Sequence, residues 1–503
     1  MGSPARDNSN FFGGDSGLAR IEVSEEPSAA LMRKRLWLGL DRAFRGATHA
    51  YAAKKVVLQR LAVEDLPPDY SGTGVSVTHL VPWELAPMDR ERLAELATVL
   101  SRRFENWPSI DNGDVHIQVL RSYETVVSTD GATLQWAHDR AVLAVVADTK
   151  AADGMHLDHG LVMHFQGVPR PDEELLRRGE ALVDRVLAEL DELARAPMID
   201  EEYDGPVLFQ SRAAAQLLAS TVATEAVGTP APLGEGGRMM ELEPAWHKRL
   251  GRVVLPPFID LVDDPTAEGF GSFDVDAEGI RPGRLELVRN GVLENLLMTR
   301  TPNAVRQDSN GRARMTPSLE SGPAISNLKL ESSRRGLSQA SLERELLARA
   351  REDGYEFAYI VESLRDGSIL GPVPRESAAA FSGTGKLDLP LPARVYRIDA
   401  SGKKTLVRGA ILAPMSMRAL RRIRAVGQNV ERVPMRIPVG TFGGFNADVG
   451  IDGVLSQTVD VEVSAPELLI DGLELLVEQG EHEKLPTLVH PLRRKDAAPP
   501  AKP

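Results

Sequence analysis

The segment Thr224-Glu225-Ala226-Val227-Gly228-Thr229 keeps the spacing HExxxH, with threonine in both imidazole places. On a helix, two imidazoles at that spacing hold Zn²⁺ while the intervening glutamate polarises the attacking water. Threonine hydroxyls are poor zinc ligands beside imidazole nitrogen or thiolate, so Glu225 becomes a general base with no metal-bound water to act on. The segment reads as a catalytic frame that has lost its metal, with Glu225 as its vestige. A plainer description fits the same residues: a small-residue packing helix from Ala213 to Val227, ended by Gly228 with Pro230 as the stop.

No other constellation competes. His156, His159 and His164 form the one histidine cluster, and HxxH plus a third imidazole can bind zinc with Asp158 orienting a ligand. If that segment is a strand, however, the odd spacing sends His156 and His159 to opposite faces. Surface or turn histidines are the expectation. Gly383-Thr384-Gly385-Lys386 resembles a phosphate loop but has Ala380 in place of the first glycine and Leu387 where a hydroxyl must reach Mg²⁺. It is expected to be a hairpin or loop. Neither a GxSxG elbow nor a GxGxxG fingerprint is evident.

Composition narrows the classes. The chain has 503 residues, 42% of them apolar, enough for a sizeable core and, at ~150 residues each, roughly three domains. The net charge is −13, and the densest basic run, Arg418, Arg421, Arg422 and Arg424, reads as a solvated face, so nucleic-acid binding is disfavoured. The absence of cysteine excludes disulfides, thiol catalysis and thiolate metal sites. No apolar run approaches the ~18 residues of a membrane span, and no signal-peptide profile opens the sequence. The expectation is a soluble, cytoplasmic protein with no membrane partner.

The elements that must position these residues follow from periodicity. Residues 1–27 read as loop. Leu36, Leu40, Ala43, Ala47, Ala50, Val57 and Leu61 form the apolar stripe of a long helix. Asp89 caps a second helix carrying Leu93, Leu96, Leu100 and Phe104, closed by Pro108. Val115, Ile117 and Val119 alternate as a strand, and Thr129-Asp130-Gly131 turns into a second strand over Val142 to Val146. A third helix runs from about Asp172 to Ala196. Beyond residue 200 short strands dominate, at Val207–Phe209, Val253–Leu255, Arg284–Val288, Arg394–Ile398, Thr405–Val407 and Val459–Val463, with one helix over Gln339–Glu352. The expected division is a loop over 1–27, an α+β domain of helices on an antiparallel sheet over 28–200, a mainly β domain over 201–490, and a disordered tail over 491–503.

Four stretches then carry a resemblance across most of residues 200–480. They are Gly205-Pro206-Val207-Leu208 leading into the Ala213-Ala214-Ala215 helix; Asp276-Ala277-Glu278-Gly279 followed by Leu287-Val288-Arg289-Asn290-Gly291-Val292-Leu293; Val407-Arg408-Gly409; and Val463-Ser464-Ala465-Pro466-Glu467-Leu468-Leu469. In order and spacing they resemble the TldD/PmbA family, peptidases once described as modulators of DNA gyrase, which implies a C-terminal domain of the TldD/PmbA type. In TldD-type members HExxxH follows the GPV strand, and a cysteine from the C-terminal part completes the zinc site. Those histidines fall on Thr224 and Thr229, the glutamate falls on Glu225, and the cysteine has no counterpart.

The chain is therefore similar to the PmbA type, also called TldE, which lacks the zinc motif and pairs with a TldD-type subunit in a hollow dimeric protease. The resemblance implies no cofactor of its own, a TldD-type protease subunit or a second copy as partner, and extended peptide held by strand addition. In the C-terminal β region Gly443 and Gly444 are candidate points of close backbone approach for such a peptide, with ordinary turn glycines as the commoner case. Larger relatives carry an additional segment before the stretch at Asp7 to Gly14, so a longer native N-terminus, with a compartment signal in it, is an open expectation; a cloning scar at Met1-Gly2-Ser3 is the plainer explanation. Two other functions stay open: a stand-alone peptide-binding or scaffolding protein, and an independent hydrolase with an unrecognised site.

Overall fold

The computed structural model describes residues 11–12, 21, 28–61, 67–71, 77–82, 84, 86–234, 236–239, 243–370, 387, 389–439 and 449–478. Within the stretch 1–27 expected as loop, Phe11–Phe12 is instead a short strand paired in parallel with Leu233–Gly234; helix α1, Ala29–Leu61, follows, and its stripe is buried only toward the C-terminal end, where Ala50 and Val57 pack against Phe11 and Leu233. Leu36 and Leu40, members of the same stripe, are 50% and 70% exposed. Helix periodicity places apolar residues on one face, but whether a neighbour covers that face is a tertiary matter.

Helices α2, Arg90–Ser101, and α3, Glu173–Arg195, start where their caps predict. Asp89 accepts from Arg92 N at 3.1 Å and Asp172 from Leu175 N at 2.9 Å, each satisfying a backbone donor that the first turn leaves free. Both lie on an antiparallel sheet of Asn112–Val127, Thr133–Lys150 and His156–Gln166, with Thr78–Leu80 added in parallel. Gly131, at φ 94°, makes the turn of the first hairpin. The central strand is buried on both faces. Leu143, Val145 and Ala147 meet Leu100, Val183 and Leu187 of the helices, whereas Val142 and Ala144 meet Ile369, Leu370, Val454 and Leu455. That two-sided burial explains its unbroken apolar run.

The rest of the chain builds an eleven-stranded mixed sheet. Its path runs Val292–Leu293, Leu285–Arg289, Ile259–Asp263, Asn327–Ser332, Val459–Val477, Tyr203–Phe209, Phe357–Leu364, Pro392–Asp399 and Lys404–Val407. Ile423–Ile437 and Ala410–Leu412 also pair with Val459–Val477. The architecture is α+β as expected, helices and sheet first and a mainly β region after. Val253–Leu255 is not a strand: Val253 makes one isolated bridge to Val292, and the ladder position belongs to Ile259–Asp263. Helix α4, Ser211–Glu225, is buried on nearly every side against Val459–Val477, Phe357–Leu364 and Ile423–Ile437. Helix α5, Gln339–Glu352, buries one stripe, Leu342, Leu346 and Ala350, over Tyr203–Phe209 and Phe357–Leu364. Among the described residues no helix is long and apolar enough to cross a membrane.

Candidate functional site

The sequence of α4 is apolar and small all round, and such a helix is stable only when enclosed. Its entry is fixed by the strands it packs on: Gln210 N donates to Val361 O at 2.9 Å, and Ser211 Oγ to Asn429 O at 2.7 Å. It ends at Glu225. Ala226 N closes the last turn on Val222 O, and Gly228 N donates to Leu297 O at 2.9 Å while Leu297 N donates to Ala226 O at 2.8 Å. The chain thus leaves the helix to pair with Leu297. At Gly228 a Cβ would lie 2.0 Å from Met298 Sδ, so a larger residue there would require the Met298 side chain to shift.

This exit decides where the predicted residues go. Thr224 and Glu225 stand in the last turn of α4, while Thr229 lies beyond it on the paired segment. Thr224 Oγ1 is turned back on the helix, donating to Thr221 O at 3.1 Å and Ser220 O at 3.2 Å. The Glu225 carboxylate accepts from Ala245 N, and its carbonyl accepts from Trp246 N at 3.2 Å. Burial pushes the Glu225 carboxyl up from its ordinary range, against the opposing Ala245 N–H. Glu243 and His247, which the sequence reading passed over, join this corner. Glu243 Oε2 accepts from Ala231 N at 3.0 Å, and its Oε1 lies 3.8 Å from His247 Nε2 and 3.3 Å from Lys248 Nζ. The arrangement fastens the turn at 243–247 to the end of α4.

A zinc ion does not fit this donor set. One hydroxyl is bonded to helix carbonyls, the other stands outside the helix, the carboxylate serves a backbone N–H, and the chain has no cysteine to add.

The histidines do not converge. His156 Nε2 faces Asp148 at 3.5 Å, His159 Nε2 faces Glu189 at 2.8 Å, and His164 Nδ1 accepts from Arg436 Nε at 3.3 Å. The expectation of surface or turn histidines holds for exposed His156 alone: His159 is buried and His164 half-buried within the strand His156–Gln166, whose alternation sends His156 and His159 to opposite faces. Burial opposes the charge on Glu189, but the bonds from His159 and Arg185 hold its carboxyl down at about 2. Asp158 pairs instead with Arg365, beside a cavity of about 160 Å³ that His159 also lines. Arg418, Arg421, Arg422 and Arg424 are all exposed, and Arg424 pairs with Asp471. Gly383 to Lys386, Gly443 and Gly444 lie outside the described residues.

A second polar centre forms around Asp276-Ala277-Glu278-Gly279. One Asp276 oxygen accepts from Ile280 N at 2.7 Å and Glu278 N at 3.0 Å, the other from Ala313 N at 3.2 Å. Glu278 Oε2 accepts from Arg300 N at 2.6 Å, and Arg300 Nη1 reaches Asp130 of the first hairpin at 2.8 Å. Burial pushes Asp276 up to about 6 against its three N–H donors, and pushes Glu278 up to about 7, where neighbouring Asp276 adds to the shift. The sequence signal was present, since this tetrapeptide carried the resemblance. Its use as a backbone clamp was not.

The C-terminal domain model described as PmbA/TldA metallopeptidase matches residues 202–476. A protein of Methanothermobacter thermautotrophicus named metalloprotease is 24% identical over 358 residues, covering 70% of this chain and 66% of that relative, so just under two thirds of the relative's length is spanned. Among solved structures, a putative modulator of a DNA gyrase from Thermotoga maritima aligns with a TM-score of 0.53 at 16% identity, over 87% of this chain and 83% of the other. A second, from Bacteroides thetaiotaomicron, gives 0.50 at 13% identity, over 81% and 76%. TldE from Thermococcus kodakarensis gives 0.49 at 12% identity, over 86% and 84%. At such identities the first two alignments show a likeness of fold alone.

Proposed function

Since the chain belongs to the PmbA/TldD family, whose C-terminal domain accounts for residues 202–476, we propose that it is a zinc-free member that assists peptide cleavage by a TldD-type partner. The observation that carries this reading is the end of α4. There the Thr224 hydroxyl and the Glu225 carboxylate both hold backbone within the fold, and no imidazole stands at either ligand position. Without a metal-bound water, Glu225 has nothing to activate, so hydrolysis has to come from another subunit. What this chain contributes is then binding. Extended peptide docks on strand edges through main-chain hydrogen bonds, which no side-chain motif has to supply.

The exposed face of α1 supports assembly. Leu36, Trp37, Leu40 and Phe44 stand between 47% and 70% exposed along one helix, an apolar stripe rather than single scattered residues. The partner is a TldD-type subunit or a second copy of this chain, over an interface expected to exceed about 2,000 Å² in total. Metal analysis and peptide cleavage by the chain alone and together with a co-purified TldD-type subunit test the proposal. Stoichiometric zinc, or chelator-sensitive cleavage by the chain alone, would overturn it in favour of an independent hydrolase. A strict monomer that never meets such a subunit would leave a stand-alone peptide-binding protein.

A further inference from the structure

The first sheet ends on one side at the strand Asn112–Val127, which pairs with Thr133–Lys150 and with no other strand among the described residues. That pairing is continuous over all 16 residues without a bulge, and the strand contains neither proline nor lysine. Proteins ordinarily blunt a long edge with such devices, because a row of free N–H and C=O groups invites another chain. The large sheet obeys the rule at its own end, where Lys404–Val407 has 4 residues and opens on lysine.

Register decides which groups are free. At the hairpin Ser128 N donates to Ala132 O at 3.0 Å, so the even-numbered residues before it bond to Thr133–Lys150 and the odd-numbered ones turn their N–H and C=O outward. Val115, Ile117 and Val119 are of the second kind, and among the described residues their main-chain groups meet no partner. Their side chains pack with the core that α2 helps to form.

Between α2 and this edge lies a cavity of about 620 Å³, within the ~300–1,000 Å³ of ordinary ligand clefts. Residues 115–119 line it on the strand side, and Met88, Leu93, Ala94 and Ala97 on the helix side. The next strand position lies about 4.8 Å beyond Asn112–Val127, so alternate side chains of an added strand would meet that helical wall, where two alanines leave room for them. The charge is one-sided. Arg90 and Arg121 line the cavity and no carboxylate does, since Glu91 and Glu95 fall outside the face of α2 that carries Arg90, Leu93, Ala94 and Ala97. Arg121 faces Asp139 at 3.7 Å, whereas exposed Arg90 has no ion pair among the described residues. Two copies joined at this edge would bring like charges together, which disfavours the chain itself as occupant.

We propose that an extended peptide adds here as the next strand, between Asn112–Val127 and α2, with apolar side chains against Ala94 and Ala97 and a carboxylate toward Arg90. The proposal rests on the reading of this chain as a peptide holder and names the edge that does the holding. Its test uses the isolated full chain and needs neither partner nor cleavage.

The probe is a blocked heptapeptide with glutamate at both ends, valine at its third and fifth positions and threonine between, titrated by calorimetry. Saturable binding is expected. Methylating the main-chain nitrogens of one alternate set of residues should weaken it at least about tenfold, and methylating the other set should leave it within about twofold, because only one set of N–H groups faces the edge. Arg90→Glu, an exposed change at a helix start that favours glutamate, should weaken the peptide about tenfold and restore binding to its counterpart with lysine at both ends. Ala94→Gln, also exposed, narrows the groove and should weaken both peptides. Absence of saturation, or an equal response to the two methylated sets, would overturn the assignment. So would a concentration-dependent dimer of the chain that Ala94→Gln abolishes, since the edge would then belong to a second copy. Peptide binding without assisted cleavage would leave this groove standing and remove the proposed function, while assisted cleavage without binding here would strike the groove alone.

Discussion

Substituting Glu225 separates a structural carboxylate from a catalytic one. Its contacts are to backbone: the carboxylate accepts from Ala245 N, and no metal-binding imidazole stands at 224 or 229. Glu225→Gln keeps an oxygen acceptor for that N–H, so the fold should lose less than about 0.5 kcal/mol. Glu225→Ala removes the acceptor. Ala245 is exposed, so water can take over its N–H, and the cost should lie near the low end for a hydrogen bond, about 1 kcal/mol. The pH dependence has a definite sign. Folding raises the Glu225 carboxyl through burial, so the stability linked to its neutral form is complete at low pH and is lost as pH rises through the folded value.

The glutamine variant is neutral throughout, so relative to the parent it should gain stability between pH 4 and pH 8. Urea midpoints at the two pH values measure this, and assisted peptide cleavage measures function. A catalytic base would show a loss of more than about a hundredfold, roughly 2.7 kcal/mol of barrier. A folded Glu225→Gln protein with such a loss refutes the reasoning, and so does a Glu225→Ala protein as stable as the parent.

Three further outcomes follow from the same structure. Asp263→Asn leaves the fully buried Arg312 guanidinium without its counter-charge and should cost about 3–5 kcal/mol by chemical denaturation, while the paired change Asp263→Asn with Arg312→Met should recover much of it. Glu278, raised to about 7 by burial, is stabilising in its neutral form, so the thermal midpoint should fall between pH 6 and pH 8; Glu278→Gln should flatten that slope. On α1, Leu40→Glu touches no core and should leave the midpoint of the isolated chain unchanged, yet reduce assembly as read by sedimentation.

Local signals were legible where one segment decides its own structure. Asp89 and Asp172 name their helices because a cap needs only the next three residues, and Gln339–Glu352 needs only its own stripe and Gly354 beyond. The third strand of the first sheet, His156–Gln166, was harder. Its glycine and two interior histidines interrupt the alternation, and its partner strand supplies the register. Val459–Val477 runs far past the expected Val463 because irregularities carry it through the bend at Asp471-Gly472, where Gly472 has φ 59°.

At the site the division is sharper. Sequence alone determined that Thr224, Glu225 and Thr229 keep the spacing of HExxxH without its histidines and that no cysteine stands in the sequence, because residue type is read directly from it. It could not determine that α4 stops at Glu225, since Leu297, some seventy residues on, draws the chain into a β-bridge. Nor could it join Arg140, Arg314 and Arg436 around Asp460. Arg140 and Arg314 come from two other sheets than the one that holds Arg436 and Asp460, so only the packing of separate sheets brings them together.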